Sequence, residues 1–341
     1  MIPHTLYLAT ITVLIVIIAV TAITTKVHLN TIQAAVSRQI SLPPFIPGAR
    51  TYAQYRADID GLIEHAHNDF GPINTKLSTA CRTALQGGKR LRAIILCEIA
   101  RMASVGRQTC DPREATLFIE YVHTASLIID DSPAFDNDLT RRDRPALHAE
   151  VGTAVAQMAA LSLVAAGFHN ICRQIDWIRS RCHYINADQI GTLVCATISQ
   201  ALGASGAARG QYMDISPIHE FGADAVAELL YLKTATFFEM ATVVGWLIAG
   251  GSSVQIPMLR DIGRHVGIAF QVADDIGDMA SDASRALEGK PGWNFANIYG
   301  LDAALIEVEF NLKSAEIALK RCACWTPLWI EIYDKVRNMY N

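Results

Sequence analysis

From Thr51 to the C-terminus, hydrophobic positions recur in long stretches rich in alanine and leucine, for example residues 151–169, 187–204 and 223–249. Glycine and proline interrupt the pattern at Gly71–Pro72, Asp111–Pro112 and Gly250–Gly251. Both residues disfavour continued helix and mark helix ends. No alternation of apolar and polar residues is long enough to indicate a strand. The pattern therefore predicts an all-α domain over residues 51–341.

The N-terminal segment has a different pattern. Leu6 to Thr24 is an almost uninterrupted apolar run of about 19 residues, enough to cross the hydrocarbon core of a bilayer. No charged side chain precedes the run, whereas Lys26 and Arg38 follow it. The positive-inside rule then predicts a single-pass anchor over residues 6–24, with the rest of the chain in the cytosol. We expect the endoplasmic reticulum to be the membrane.

Two other kinds of N-terminal segment are alternatives to the anchor. A cleaved signal peptide fits less well, because the basic region before the apolar run is missing. The absence of acidic residues before Asp58 leaves a transit peptide for a plastid or another organelle as an alternative. Such peptides are rich in arginine and serine, so the anchor is preferred. Residues 25–50 form a linker ending in SLPPFIPGAR, whose prolines favour extended backbone.

Composition narrows the class of protein. Hydrophobic residues make up 51% of the chain, and the mean hydropathy of +0.23 is high for a soluble protein. The net charge of −4 and the pI near 6.2 argue against nucleic-acid binding. The eight cysteines show no metal-ligand spacing, so we expect free thiols in a reducing compartment.

Candidate chemistry is concentrated between His123 and His148, in HTASLIIDDSPAFDNDLTRRDRPALH. The apolar first part predicts a buried helix, after which come Asp130, Asp131, Asp136 and Asp138, then Arg141 and Arg142. Carboxylates grouped at the end of a buried helix are costly unless a cation is present. Their oxygens suit Mg²⁺, and the guanidinium groups suit phosphate. The stretch predicts a metal-bridged diphosphate site, with a solvated acidic turn as the alternative.

A second acidic group lies in FQVADDIGD. Gln271, Asp274, Asp275 and Asp278 are spaced at i, i+3, i+4 and i+7, so they share one helical face. Like charges at this spacing destabilise a helix unless they are compensated, and apolar residues surround them. Two acidic helices therefore suggest carboxylates that converge across a helical cavity.

These stretches resemble the trans-polyprenyl diphosphate synthases, most closely the geranylgeranyl diphosphate synthases, from about Tyr52 to the C-terminus. The motifs follow the family's order: GGKRLR (Gly87 to Arg92), HTASLIIDDSPAFDND, RR, GQYMD (Gly210 to Asp214), LKT (Leu232 to Thr234), FQVADDIGD and GK (Gly289, Lys290). The resemblance implies the isoprenoid synthase fold, a helical bundle around a central cavity, here preceded by the transmembrane helix. It also implies that isopentenyl diphosphate is condensed with an allylic diphosphate, with Mg²⁺ as cofactor at three ions per active site.

The same resemblance implies a role for each residue of the site. The metal ligands are Asp130, Asp131, Asp136, Asp274 and Asp278, of which Asp131 is a supporting carboxylate, together with Asp138 and Asp275 as further support. Isopentenyl diphosphate is bound by Lys89, Arg92, His123 and Arg142, assisted by Arg90. The allylic diphosphate is bound by Arg141, Lys233, Thr234, Gln271 and Lys290. The GQYMD motif supports the cavity without taking part in the reaction.

Physical arguments bear on several of these roles. Gly88 lets backbone approach a ligand closely. Lys89 and Arg92 share a face at a helix start, where cations are disfavoured unless an anion is bound. A buried lysine such as Lys233 needs a partner. A histidine on an apolar helix is more often a core residue, so the role of His123 depends on the resemblance.

The cavity wall below the first aspartates determines product length in the family. Ala125 and Ser126 lie five and four residues before Asp130, where shorter-chain relatives carry an aromatic residue. Two small residues leave the channel open, so the resemblance implies geranylgeranyl diphosphate, made from dimethylallyl, geranyl or farnesyl diphosphate.

The chain departs from the family at Leu139 and Asp143, and in the short loop KPGWNFANIYG after Gly289, which lacks the usual acidic and lysine residues. Two other classes stay open. A class I terpene cyclase would need no isopentenyl diphosphate site, whereas a non-catalytic subunit of a heteromeric synthase typically loses aspartates. We also expect a homodimer.

Overall fold

The first described helix begins at Tyr52 because Thr51 caps it. The Thr51 hydroxyl accepts a hydrogen bond from the Gln54 backbone N–H at 3.3 Å, and the Gln54 side chain accepts one from the Thr51 N–H at 3.0 Å. The structure is a computed structural model that describes residues 49–340 except 72–74, 105–109, 143, 184, 217–220, 222–224 and 288–292. The predicted anchor over 6–24, the predicted linker up to residue 48, and Lys290 lie outside the described residues.

Helices make up most of the described chain. In order they are α1 Tyr52–His65, α2 Lys76–Ala84, α3 Leu91–Ala103, α4 Arg113–Asp130, α5 Leu147–Val151, α6 Thr153–Arg181, α7 Ala187–Leu202, α8 Ala207–Asp214, α9 Ala225–Leu230, α10 Thr236–Ile248, α11 Ile256–Gly277, α12 Met279–Leu287, α13 Phe295–Tyr299, α14 Leu301–Arg321 and α15 Pro327–Arg337. Short 3₁₀ turns cover His67–Phe70 and Ser253–Gln255, and a π-helical turn, Tyr231–Ala235, joins α9 to α10.

One small sheet departs from the expectation that only helices follow Thr51. Strands β1, Thr140–Arg141, and β2, Arg144–Pro145, pair antiparallel, with Arg141 opposite Arg144. A two-residue ladder leaves no readable alternation in a sequence, because strand periodicity needs at least four residues. The all-α fold class is confirmed, and this hairpin is the correction to it.

Helix α10 is the centre of the bundle, since every residue from Thr236 to Ile248 is buried. It packs against α3, α7 and α11. An ideal Cβ on Gly245 would lie 2.5 Å from the carbonyl oxygen of Leu96 in α3, and one on Gly263 would lie 2.4 Å from the Glu239 Cα. A side chain at either glycine would push a neighbouring helix off α10, because the interior is close-packed. Gly245 therefore allows α3 to approach α10, and Gly263 allows α11, which carries the second acidic group, to do the same.

Helix α4 carries the first acidic group from the core to the rim of the bundle. It packs along α6, where an ideal Cβ on Gly167 would meet the Phe118 ring at 3.1 Å. Most of its residues are buried as far as Ile128, whereas Ile129 is 40% exposed and Asp130 is half-buried. The helix thus ends where a solvent-borne ligand can reach its carboxylates.

Two helical stretches in the described ranges are long and apolar enough to cross a membrane: α6, and Ala187–Asp214, which contains α7 and α8. Both belong to the bundle, because α6 packs on α4 and α7 packs on α10. In the most apolar window of each stretch, 44% of the first and 33% of the second is buried.

Candidate active site

The first acidic group closes on itself at the end of α4. The backbone N–H of Asp136 donates to the Asp130 carbonyl at 3.0 Å, so the turn folds back and brings the two side chains together. A carboxylate oxygen from each lies within 4.8 Å of the other and of one from Asp214. All three ligands are carboxylates, the hard oxygen donors that Mg²⁺ prefers, and the group contains no thiolate or imidazole that would favour zinc. The three residues therefore fit Mg²⁺.

Asp214 and Gln211 belong to the GQYMD motif, which was predicted only to support the cavity. The Gln211 amide donates to Asp130 Oδ1 at 2.7 Å, and Asp214 completes the carboxylate cluster. Gly210 makes this possible, because an ideal Cβ there would lie 2.4 Å from the Lys233 backbone nitrogen. The spacing of three residues, which puts Gln211 and Asp214 on one helical face, is the signal that could have revealed them.

Lys233, in the π-helical turn, is the cation of this cluster. Its Nζ lies 2.6 Å from Asp214 Oδ2 and 3.2 Å from Asp130 Oδ1. Burial alone would lower the pKa of Lys233, but Asp214 and Asp130 outweigh burial and raise it. Burial, reinforced by Asp130, raises the pKa of Asp136 to about 6, although Lys233 opposes the shift. The cluster therefore holds more carboxylates than its resident cation neutralises.

Asp131 lies apart from the three clustered carboxylates, although it was predicted among the metal ligands. It is buried, and its two carboxylate oxygens share the single Nε–H of Arg141, at 2.8 and 3.1 Å, with a further contact from Arg141 Nη2. Burial raises the pKa of Asp131 even though Arg141 opposes the rise. This placement agrees with a supporting carboxylate that orients Arg141, which was predicted to bind the allylic diphosphate.

A basic compartment lined by aromatic rings lies where α3 meets α4. Arg92 Nη1 is 3.2 Å from His123 Nε2, and the guanidinium carbon is 4.5 Å from the centre of the Phe238 ring. Burial lowers the pKa of Arg92 to about 10, and burial together with Arg92 holds the pKa of His123 well below its usual value. Arg92 Nε is buried and has no hydrogen-bond partner among the described residues. A buried cation with a free donor calls for an anionic ligand.

Lys89 and Arg142 surround the same compartment. Lys89 Nζ is 5.2 Å from the centre of the Phe270 ring. The guanidinium of Arg142 packs on Gly88, where an ideal Cβ would lie 2.9 Å from Nη1. Gly88 has a φ of 102°, a backbone conformation that glycine adopts readily. The structure thus brings together all four residues that were predicted to bind isopentenyl diphosphate.

Arg90 turns away from that compartment. It is buried, and its side chain donates to Asp60 at 2.8 Å, to Glu120 at 2.7 Å and to the Leu85 carbonyl at 2.6 Å. Its backbone φ is 56°, immediately before α3 begins. With these partners Arg90 supports the loop that presents its neighbours Lys89 and Arg92, and its assistance in binding the diphosphate stays a prediction.

Within the second acidic group, Asp275 differs from Asp274 and Asp278 in its surroundings. Asp275 is buried, and accepts hydrogen bonds from the Phe295 backbone N–H at 2.8 Å and from Gln271 Nε2 at 2.9 Å. Burial raises the pKa of Asp275 to about 7. Gln271 in turn accepts a hydrogen bond from the Thr234 hydroxyl at 2.6 Å, so both predicted allylic contacts belong to this network. These hydrogen bonds connect Asp275 of α11 to α13, and its supporting role in the reaction site stays a prediction.

Asp274 and Asp278 lie at the end of α11. Burial raises the pKa of both carboxyl groups, whereas the positive charges of Lys89 and Arg141 lower it. Both carboxyl groups are thus subject to the charges of Lys89, from the basic compartment, and of Arg141, the partner of Asp131. Asp282 of α12, which belongs to none of the sequence motifs, adds a further negative charge and raises both pKa values.

The two predicted chain-length residues lie on α4 below the acidic cluster. Ala125 is buried, and Ser126 is half-buried with its hydroxyl donating to the His123 carbonyl at 2.8 Å. Neither side chain extends far from the helix. That these two small side chains line the wall of a product channel stays a prediction.

Comparisons with known proteins agree with this geometry. The family model described as "Polyprenyl synthetase" matches residues 74–294. A "Trans-prenyltransferase" of African swine fever virus (strain Badajoz 1971 Vero-adapted) is 35% identical over 340 residues, which cover 98% of both chains. "Geranylgeranyl pyrophosphate synthase 7, chloroplastic" of Arabidopsis thaliana is 33% identical over 277 residues, 73% of this chain and 76% of the relative.

Solved structures show the same fold. An FPP/GFPP synthase from Zymomonas mobilis has a TM-score of 0.68 at 23% identity, covering 85% of this chain and 97% of that one. A geranyltransferase from Legionella pneumophila has a TM-score of 0.69 at 23% identity, covering 84% and 95%. Isopentenyl and allylic diphosphates are the substrates that the family implies, and the acidic cluster is consistent with Mg²⁺ dependence. The chain belongs to the polyprenyl synthetase family and is a trans-prenyltransferase.

Proposed function

We propose that the protein is a Mg²⁺-dependent geranylgeranyl diphosphate synthase, which condenses isopentenyl diphosphate head to tail with dimethylallyl, geranyl or farnesyl diphosphate. The observation that carries the proposal is the division of the site into two compartments of opposite charge. One contains the carboxylates of Asp130, Asp136 and Asp214 with Lys233, and the other contains buried Arg92 among aromatic rings. A reaction between two diphosphates uses both: one diphosphate leaves with the help of metal, and the other stays bound to cationic side chains.

In the acidic compartment, Asp130, Asp136 and Asp214 would hold Mg²⁺ on one side. Asp274 and Asp278 would hold Mg²⁺ on the other side, and we propose three ions per site. When bound, Mg²⁺ neutralises the negative charge that grows on the departing diphosphate. Lys233 stays protonated because its carboxylate partners raise its pKa, so it can donate to the same diphosphate. Arg141, oriented by Asp131, supplies a second donor of fixed geometry.

In the basic compartment, Arg92, Lys89 and Arg142 would bind isopentenyl diphosphate. His123 is uncharged at neutral pH because burial lowers its pKa, so it acts as a hydrogen-bonding partner and not as a cation. The rings of Phe238 and Phe270 lie against the buried Arg92 guanidinium, and burial strengthens its attraction for an anion, whereas Lys89 and Arg142 are exposed. The proton lost at the end of the condensation would go to the departing diphosphate.

The small side chains of Ala125 and Ser126 support a twenty-carbon product, because neither would block a channel that runs past this part of α4. The rival class I terpene cyclase would leave the buried cation Arg92 without a ligand. A non-catalytic subunit would have no use for the complete set of carboxylates that the structure retains.

We propose that α6 and α7 form a homodimer interface with a second copy of the chain. From Thr153 to Cys172 and from Gln189 to Ala208 the sequence contains no Asp, Glu, Lys or Arg, although several of these side chains are exposed. Met158 is 48% exposed in this region. A broad uncharged surface is typical of homodimer interfaces, which are depleted in charge.

The cellular location is proposed from the sequence. The 19-residue apolar run Leu6–Thr24 would anchor the protein in the endoplasmic reticulum with the catalytic domain, residues 51–341, in the cytosol. A plastid or another organelle is the alternative.

The first prediction tests the reaction. Purified protein with labelled isopentenyl diphosphate and Mg²⁺ should extend each allylic diphosphate, and EDTA should abolish the product. Asp130→Asn should lower kcat/KM by about 10²- to 10³-fold, the range for loss of a group that stabilises developing charge. Asp302→Asn, at an exposed carboxylate of α14, should change little. Product formation that is unaffected by EDTA and by Asp130→Asn would contradict the proposal.

The second prediction concerns product length. Ala125→Phe should shift the main product from twenty carbons to fifteen or fewer, because the ring would block the channel. Chromatography of the dephosphorylated products measures the shift. Ala125 is buried, so overpacking can destabilise this variant. Ser126→Phe, at a half-buried site, is the second probe. A twenty-carbon product from both folded variants would refute the channel argument.

The third prediction concerns the dimer. Wild-type protein should sediment with twice the 37.2 kDa chain mass. Met158→Lys should shift it toward the monomer, because it would bury an unpaired charge at the proposed interface. Val254→Lys introduces the same charge at an apolar residue that is 85% exposed elsewhere, and should leave the dimer intact. A monomeric wild-type protein would exclude the interface.

The fourth prediction concerns the anchor. Expressed in eukaryotic cells, the full chain should remain in the membrane pellet after carbonate extraction, whereas a chain that starts at Thr51 should move to the supernatant. Recovery of the full chain in the supernatant would rule out a transmembrane segment at residues 6–24.

A further inference from the structure

Arg285 of α12 connects the two acidic groups, and neither the reaction nor the sequence motifs account for it. Its Nη1 lies 3.2 Å from Asp138 Oδ1, and its Nη2 lies 3.9 Å from Asp136 Oδ2. Helix α12 begins immediately after Asp278, the last carboxylate of the second acidic group. A side chain attached to the second acidic group therefore forms its ion pairs with the first.

Helix α12 is also connected to the second acidic group by hydrogen bonds. Asp282, one turn before Arg285, accepts a hydrogen bond from Asn294 Nδ2 at 2.8 Å. The same amide nitrogen donates to the Asp275 carbonyl at 2.7 Å. Helix α12 is thus tied to α11 through Asn294 and to the turn after α4 through Arg285, so it bridges the two acidic groups.

The closest partner of Arg285 is well suited to a lasting contact. Asp138 is not one of the three clustered carboxylates, so a metal at Asp130, Asp136 and Asp214 would leave its ion pair intact. The Asp138 backbone carbonyl lies 2.8 Å from Nε2 of the buried His148, which fixes its position. The pair of Arg285 and Asp138 can therefore persist when the site is loaded.

We propose that Arg285 is a positioning residue, whose ion pair with Asp138 holds α12 and the end of α11 at a fixed separation from the first acidic group. The pair thereby sets the distance between the two acidic groups, between which the allylic diphosphate would bind. This inference rests on the proposed function in one respect, because it assigns the allylic diphosphate to the acidic compartment. Its effect on the ligand-free protein does not depend on that assignment.

Two measurements test the proposal on the full-length protein. Hydrogen exchange of the α12 amides in EDTA reports the position of α12 without any substrate. Steady-state kinetics give separate KM values for the allylic and isopentenyl diphosphates. The variants are Arg285→Ala, Asp138→Asn, Arg285→Lys and the charge swap Arg285→Asp with Asp138→Arg. Arg337→Ala removes a comparable pair, with Glu309, on α15 and serves as the matched control.

Arg285→Ala and Asp138→Asn should each speed exchange across Met279–Leu287 and raise the allylic KM by about three- to fivefold, the strength of a partly exposed ion pair. The KM for isopentenyl diphosphate should stay unchanged, and Arg285→Lys and the swap should recover much of the loss. Arg337→Ala should change neither measurement.

Three results would overturn the proposal: unchanged α12 exchange in both single variants, opposite shifts in the allylic KM for Arg285→Ala and Asp138→Asn, or no recovery in the swap. Opposite shifts would mean that only net charge matters, because one variant removes a positive charge and the other a negative one. If the wild-type protein transfers no prenyl group, the proposed function fails, and the exchange data alone decide the role of Arg285.

Discussion

The constraint on which the structure depends is the cost of placing carboxylates at the ends of two helices, α4 and α11, that meet at one site. Asp130 ends α4, and Asp278 lies just beyond the last residue of α11. The carbonyl end of a helix is already negative, so carboxylates there are unfavourable even before they repel each other. Burial adds to the cost and raises the pKa of Asp136 and Asp278. Such an arrangement is stable only with cations nearby.

Those cations come from three separate parts of the chain: Lys233 from a π-helical turn, Arg141 from the small hairpin and Arg285 from α12. Each belongs to an ion pair already formed without a ligand, so little side-chain ordering remains to be done when a ligand binds. The basic compartment shows the reverse imbalance, because one donor of buried Arg92 has no partner in the part of the chain that the structure describes. Neighbouring compartments of opposite charge can orient two anionic substrates toward each other.

Close packing brings these charges to their places. Gly210 lets α8 touch the backbone of Lys233, Gly88 makes room for the Arg142 guanidinium, and Gly263 seats α11 on the central helix α10. A side chain at any of the three would collide with a neighbour at less than 3.0 Å. The electrostatics of the site therefore depend on the absence of side chains at a few glycines as much as on the charged residues.

The sequence alone determined the helical class and both acidic groups. The periodicity of apolar residues, the clustering of Asp130 to Asp138 after an apolar helix, and the i, i+4 spacing of Asp274 and Asp278 are all local properties of the chain. Only the tertiary structure decided which charges meet. It joined Asp214 to Asp130 across 84 positions, turned Arg90 into the core while Arg92 faced an aromatic pocket, and brought Arg285 to Asp138. Spacing along one helix predicts a shared face, but contacts between helices depend on how their surfaces pack, which no local pattern records.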